Sequence, residues 1–122
     1  MYVIKVAIKV DNAHHLPFYH GKCANIHGHT WKIIVSLSFE KLNNVGFTVD
    51  FSNLKRDLKE MIPDHRDWND FLRNPTAENI AKYLFDRVKD ELKLPISQIE
   101  IYESEDSSII YNESELKNNE NL

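Results

Sequence analysis

Histidine is concentrated in one short part of this 122-residue chain. Five of the six histidines lie within sixteen residues, at His14, His15, His20, His27 and His29. In the segment HGH, His27 and His29 occupy positions i and i+2, so on an extended strand both side chains project from the same face. Two imidazoles that converge in this way can bind one metal ion at about 2.0–2.1 Å. This spacing predicts a metal site.

A third ligand is available in the segment AHHLP. His14 and His15 are adjacent, so they point in different directions and only one of them can join the site. Three histidines that leave a fourth position for water or substrate are typical of a catalytic zinc. The only cysteine, Cys23, is either a further ligand that closes the site or a small buried hydrophobic residue, and the spacing does not separate these roles.

Two other segments carry groups that could transfer protons or bind a ligand. The loop PDHRDWND places Asp64 beside His65, where a carboxylate can orient an imidazole that serves a thiol, although a solvated turn has the same composition. In SQIEIYES, Glu103 shares the parity of Ile99 and Ile101, at a position where an apolar residue is expected. A buried carboxylate there needs a hydrogen-bond donor, unless the strand has ended and the side chain reaches water.

The first elements around these residues are strands. Apolar and polar residues alternate over residues 2–10 and 31–39, which predicts two half-buried strands. After the turn NNVG, the residues Phe47, Val49 and Phe51 predict a short extension or a third strand. The connection between the first two strands is about 18 residues long, and connections of that length are usually functional or disordered. It contains most of the histidines.

Two helices and two further strands complete the pattern. Ser52 can cap the first helix, and Asn74 can cap the second with Pro75 at its first position. Strands are predicted at about residues 96–103 and 107–112. The order β, β, α, α, β, β predicts an α+β fold in which a four-stranded antiparallel sheet packs both helices on one face.

The length of the chain suits one domain at residues 1–113, followed by a polar C-terminal tail at residues 114–122. The formal net charge of −4 argues against a nucleic-acid-binding protein, because that class usually carries a basic surface. The N-terminal segment interrupts its apolar residues with lysine, unlike a signal peptide or a membrane span. We therefore predict a cytoplasmic protein with a small-molecule or protein partner, no membrane contact, and exposed strand edges paired in a homo-oligomer.

Several segments together resemble one protein family. The segments AHHLP, CANIHGH, VDFSNLK, PDHRDWND, NPTAENIA and IYES resemble, in order and spacing, the 6-pyruvoyl-tetrahydropterin synthase and 6-carboxy-tetrahydropterin synthase family. The resemblance covers about residues 3–112. It implies a tunnelling fold (T-fold), in which subunit sheets join into barrels and two trimers stack as a homohexamer with active sites between subunits.

The resemblance also implies a role for each matching residue. The implied roles are zinc ligation by His14, His27 and His29, catalysis by Cys23, Asp64 and His65, and binding of the pterin by Glu103, Thr76 and Glu78. The substrate would be dihydroneopterin triphosphate, and Zn²⁺ would make its side-chain hydroxyls and the adjacent C–H protons more acidic. The Cys23 thiolate would be the base or proton shuttle, and the enzyme would be a lyase.

Members of this family differ in their product. The animal-type enzyme releases 6-pyruvoyl-tetrahydropterin, whereas the bacterial queuosine-pathway enzyme continues to 6-carboxy-tetrahydropterin and acetaldehyde. Three residues separate Cys23 from His27, as is common in the queuosine-pathway type, so the resemblance favours the carboxy product. The alternatives are the pyruvoyl reaction and a non-catalytic paralogue that binds zinc and pterin. A zinc hydrolase would explain neither Glu103 nor the pairing of Cys23 with His65.

Overall fold

The computed structural model describes residues 1–113. Within this part of the chain, four antiparallel strands form one sheet in the order β1–β2–β3–β4, with two α-helices between β2 and β3. The bounds are β1 Tyr2–His14, β2 His27–Phe39, α1 Phe51–Met61, α2 Ala77–Glu91, β3 Ile96–Ser104 and β4 Ser107–Tyr111, with short 3₁₀ helices at Lys22–Ala24 and Trp68–Asp70. The predicted α+β class and element order are confirmed. The predicted tail, residues 114–122, lies outside the described residues.

One face of the sheet carries the core. Side chains of alternate residues point to this face because a strand has a period of two, and α1 and α2 cover them with apolar residues spaced three or four apart. The largest fully buried apolar side chains are Trp31, Trp68, Phe85, Ile33, Leu37, Leu58, Ile80, Leu84, Ile99 and Ile101. Across residues 1–113, no helix is both long and apolar enough to cross a membrane.

Strands β1 and β2 pair along their whole length, from Tyr2 opposite Phe39 to His14 opposite His27. The ladder therefore continues beyond the apolar alternation, since backbone hydrogen bonds join the strands whatever the side chains are. The connection between the strands is correspondingly shorter than predicted and spans residues 15–26. The extra pairs bring the ends of the two histidine segments side by side.

The predicted extension at Phe47, Val49 and Phe51 is wrong. No strand lies between β2 and α1 in the described structure, and Phe51 is the first residue of α1. The Asn43 Oδ1 accepts the backbone N–H groups of Val45 and Phe47, at 3.0 and 3.1 Å, and so folds this segment into a turn. The donor that Phe47 would need for pairing in a sheet is used within the turn.

Both helix caps differ from the prediction. Helix α1 is capped by the Asp50 Oδ1, which accepts the Ser52 N–H at 2.8 Å, so Ser52 lies inside the helix. Helix α2 is capped by the Thr76 Oγ1, which accepts the amide three residues on at 3.1 Å. Pro75 and Asn74 therefore precede the cap. Each segment contains two competent capping residues close together, and the backbone φ and ψ angles decide which one acts.

Candidate metal centre and active site

Three histidines meet where the β1–β2 ladder ends. His14 stands opposite His27, and His29 lies two residues along β2 on the same face. The ring centroids are 4.5 Å apart for His14 and His27, 4.7 Å for His27 and His29, and 5.4 Å for His14 and His29. His15 does not belong to this group. Of the two adjacent candidates for the third position, the structure brings His14 to the pair.

Backbone carbonyls select the ring nitrogens that face the group. The Nδ1 atoms of His14 and His27 lie 2.8 and 2.7 Å from the carbonyl oxygens of Pro75 and Asn25. Because a carbonyl only accepts hydrogen bonds, each Nδ1 carries the proton and each Nε2 of the neutral ring keeps its lone pair. The Nε2 atoms of His14 and His29 are buried without a hydrogen-bond partner in the described residues. Metal-binding histidines usually have this arrangement.

A carboxylate is the fourth member of the group. The Glu103 Oε1 lies 3.1 Å from the His29 Nε2 and 3.3 Å from the His14 Nε2, although neither contact has the geometry of a hydrogen bond. Glu103 reaches this position from β3, on the face shared by Ile99 and Ile101. One ligand atom from each of the three histidines and Glu103 lies within 4.8 Å of the others.

The electrostatics of the group suit a bound cation. Burial lowers the pKa of His29, and the charges that His27 and His14 would carry lower it further, against the opposing effect of Glu103. A neutral imidazole is the form that binds a metal. Three imidazole nitrogens and a carboxylate oxygen are ligands for zinc, and imidazole also suits iron or nickel. The unpartnered buried nitrogens therefore fit a metal ion.

Asp64 and His65 form a second group in the loop after α1. The Asp64 Oδ1 accepts the Asp11 N–H at 2.9 Å and lies 3.1 Å from the His65 Nδ1. The hydrogen bond from Asp11 is the largest effect and lowers the pKa of Asp64, while desolvation raises it and His65 lowers it. His65 has a φ of 57° and a side chain that is 77% exposed. The pair is thus a solvent-exposed imidazole that a carboxylate orients.

The loop that carries this second group is fixed to the end of β1. The Asn12 side chain is 3% exposed, accepts the Arg66 N–H at 2.8 Å, and donates to the Pro63 carbonyl at 2.8 Å. The Ala13 N–H donates to the Arg66 carbonyl at 3.0 Å. Asn12 is not among the predicted site residues. The available signal was a polar residue at a core-facing position of a strand, because such a residue needs buried partners.

The remaining predicted residues belong to neither group. Cys23 is a partly exposed free thiol in the 3₁₀ helix Lys22–Ala24, belongs to neither group, and makes no side-chain hydrogen bond within residues 1–113. Thr76 caps α2, and Glu78 is exposed in the first turn of that helix. Within one chain, the Cys23 thiol is therefore not in contact with the His65 imidazole.

An open cavity lies between the two groups. Its volume is about 770 Å³, and its walls include His29 from the first group and His65 from the second, together with Gly28 and Thr30. Cavities of about 300–1,000 Å³ are typical of small-molecule sites. This cavity is therefore large enough for a small molecule and opens beside His29.

Known proteins are similar to this chain in sequence and fold. Residues 3–114 match the family described as 6-pyruvoyl tetrahydropterin synthase. The chain is 30% identical over 142 residues to a 6-carboxy-5,6,7,8-tetrahydropterin synthase of Haemophilus influenzae, covering 93% of this chain and 100% of that protein. A protein of the same name from Synechocystis is 30% identical over 120 residues, covering 91% and 93%. The Caenorhabditis elegans 6-pyruvoyl tetrahydropterin synthase structure matches with a TM-score of 0.82 and 25% identity, covering 93% of this chain and 96% of that one. The chain belongs to the 6-pyruvoyl tetrahydropterin synthase family.

Proposed function

We propose that this protein is a zinc-dependent 6-carboxy-5,6,7,8-tetrahydropterin synthase. It converts 7,8-dihydroneopterin triphosphate and water to 6-carboxy-tetrahydropterin, acetaldehyde and triphosphate, in the cytoplasm and as a step of queuosine biosynthesis. The observation that carries the proposal is the convergence of the three histidines and Glu103 beside an open cavity. The names of the two bacterial relatives and the short gap between Cys23 and His27 favour the carboxy product over the pyruvoyl product.

The zinc ligands in this proposal are His14, His27 and His29, each through its Nε2 atom. The Pro75 and Asn25 carbonyls hold the first two in the neutral tautomer that a metal requires. Zinc supplies Lewis acidity to the substrate's side-chain hydroxyls. The protein's part is to keep three uncharged ligands in place at the end of the β1–β2 ladder.

Proton transfer falls to Cys23, Asp64 and His65. Asp64 is held ionised by the Asp11 N–H and orients the His65 ring, which can accept a proton from a thiol. The resulting thiolate is the better base for removing a proton beside the pterin ring. Because Cys23 does not meet this pair in one chain, we infer that a neighbouring subunit of a homohexamer supplies Asp64 and His65. The exposure of the His65 side chain supports this arrangement.

Recognition of the pterin falls to Glu103, with Thr76 and Glu78 shaping the pocket. A carboxylate can accept hydrogen bonds from both the amino group and the ring N–H of a pterin. Thr76 follows Pro75, whose carbonyl binds the His14 ring, so the start of α2 lies beside the metal centre. Glu78 lies in the first turn of that helix.

The proposal is tested by following product mass and acetaldehyde after adding dihydroneopterin triphosphate to the zinc-loaded protein. Equal amounts of the carboxy product and acetaldehyde would support it. The Cys23→Ala variant should lose turnover and keep its zinc, because the thiol is the base and not a ligand in this scheme. Full activity of that variant would contradict the role of Cys23.

The pyruvoyl reaction is the second candidate, and the structural similarity to the Caenorhabditis elegans protein favours it. In that reaction triphosphate is eliminated without cleavage of the remaining side chain. Release of triphosphate without acetaldehyde would therefore identify it. Tight pterin binding without release of triphosphate would instead indicate a non-catalytic paralogue that binds zinc and pterin.

A further inference from the structure

We propose that Glu103 is a fourth metal ligand when no pterin is bound, and that it leaves the metal when a pterin enters. This inference rests on the metal centre of the proposed function and concerns the state before substrate binding. It gives Glu103 successive roles at one place, first as a ligand and then as the acceptor for the pterin ring.

The distances between ligand atoms carry the first step. Four ligands arranged as a tetrahedron at about 2.0–2.2 Å from zinc lie about 3.3–3.6 Å from one another. The Glu103 Oε1 lies 3.1 Å from the His29 Nε2 and 3.3 Å from the His14 Nε2. These two separations are close to the edge of such a tetrahedron. The carboxylate oxygen therefore stands where a fourth ligand would stand.

Hydrogen bonding does not account for these contacts. The His14 Nδ1 carries the ring proton because it faces the Pro75 carbonyl, so the Nε2 of the neutral ring presents a lone pair to the Glu103 carboxylate. Two electron-rich atoms at this distance repel each other unless a cation or a proton lies between them. An additional proton on His14 would make a buried hydrogen bond, but the His14 Nε2 has no partner of hydrogen-bond geometry in the described residues. A shared cation explains both observations.

Glu103 is also the member of the group most able to move. Its side chain is 34% exposed, whereas that of His14 is 1% exposed. Carbonyl groups anchor the rings of His14 and His27, but the described residues provide no hydrogen bond to the Glu103 carboxylate. Glu103 is the penultimate residue of β3 and lies just before the turn to β4. The Glu103 side chain can therefore rotate without breaking a hydrogen bond of the described residues.

When Glu103 leaves the metal to bind the pterin, recognition of the ligand also frees a coordination position on the metal. A pterin offers N–H donors that attract the carboxylate, and its neighbouring hydroxyls can occupy the position that Glu103 leaves. A molecule that lacks the N–H donors of a pterin would have to displace the Glu103 carboxylate from the metal. The predicted consequence is selectivity for molecules that carry both features.

Cobalt provides a spectroscopic test because the intensity of its visible absorption reports coordination number. We would titrate the wild-type protein, Glu103→Gln and Glu105→Gln with Co²⁺ alone, and then add 7,8-dihydroneopterin. Glu105 is the matched control because it carries the same charge in the adjoining turn, outside the histidine group. We expect Glu103→Gln to weaken Co²⁺ binding about tenfold or more and to change the spectrum, and Glu105→Gln to match the wild type. Dihydroneopterin should also change the wild-type spectrum.

The outcomes separate this inference from the proposed function. If the wild-type protein binds no Co²⁺ and no Zn²⁺, the metal centre itself is wrong. If Co²⁺ binds and Glu103→Gln matches the wild type in affinity and spectrum, the metal centre stands and the role of Glu103 as a ligand is overturned. If the variant does not fold, a crystal structure of the pterin-free, zinc-loaded wild type decides: the Glu103 oxygen within about 2.2 Å of zinc supports the inference, and a water molecule in that position overturns it.

Discussion

Single residues in this protein depend on backbone groups that are distant in sequence. The His14 ring is oriented by the Pro75 carbonyl, 61 residues away along the chain, and Asp64 is held by the Asp11 N–H, 53 residues away. In both cases a backbone group with only one possible hydrogen-bonding role fixes the chemical state of the side chain that it meets. The tautomer of His14 and the charge of Asp64 are therefore properties of the fold.

The charge on Asp64 predicts a pH dependence of stability. Hydrogen bonds and His65 lower its pKa below the ordinary value of 3.8, so the unfolded chain takes up a proton at a higher pH than the folded chain does. The stabilisation is therefore fully present above about pH 4 and is lost as the pH falls through the folded pKa. Urea unfolding at several pH values should show the wild type losing more stability than Asp64→Asn between pH 5 and pH 3. Parallel curves for the two proteins would contradict this assignment.

At the scale of secondary-structure elements, the sequence is informative where the repeat of a strand or helix decides which face a side chain occupies. The two-residue period of a strand places His27 with His29 and turns Glu103 toward the core, and both follow from position alone. The caps at Asp50 and Thr76 were not predicted, because a competing residue of the same chemistry stands close to each. The apolar pattern predicts too early an end for β1 and too late a start for β2, because backbone pairing continues where that pattern stops. Contacts such as that of Asn12 with the loop after α1 require the tertiary structure.

The cap of α1 gives a direct test at this scale. Asp50→Ala should lower the free energy of unfolding by about 1 kcal/mol, because the amides of Ser52 and Asn53 lose their acceptor. Ser52→Ala is the control, since the Ser52 side chain caps nothing and alanine favours a helix. Chemical denaturation of the two variants measures the difference. A larger loss in Ser52→Ala than in Asp50→Ala would return the cap to the residue predicted from sequence.

At the scale of the whole molecule, the two groups of candidate site residues lie in different places. The histidines and Glu103 lie at the end of the β1–β2 ladder, whereas Asp64 and His65 lie in a loop that projects the imidazole outward. The sheet leaves β1 and β4 as edge strands within the described residues. Exposed edges favour pairing with other chains, so a second copy can both extend the sheet and bring the outward imidazole to a thiol.

This division predicts that two inactive variants restore each other. In a site that takes Cys23 from one subunit and His65 from its neighbour, mixed oligomers of Cys23→Ala and His65→Ala contain some sites with both native residues. Random mixing of equal amounts should restore about a quarter of the wild-type turnover, because each half of a site is native with a probability of about one half. Separately purified variants that never share an oligomer provide the control, and they should stay inactive when assayed together without exchange of subunits. If co-expressed variants that form mixed oligomers show no activity, both residues of each site come from one chain, and the thiol must then reach His65 by a movement within that chain.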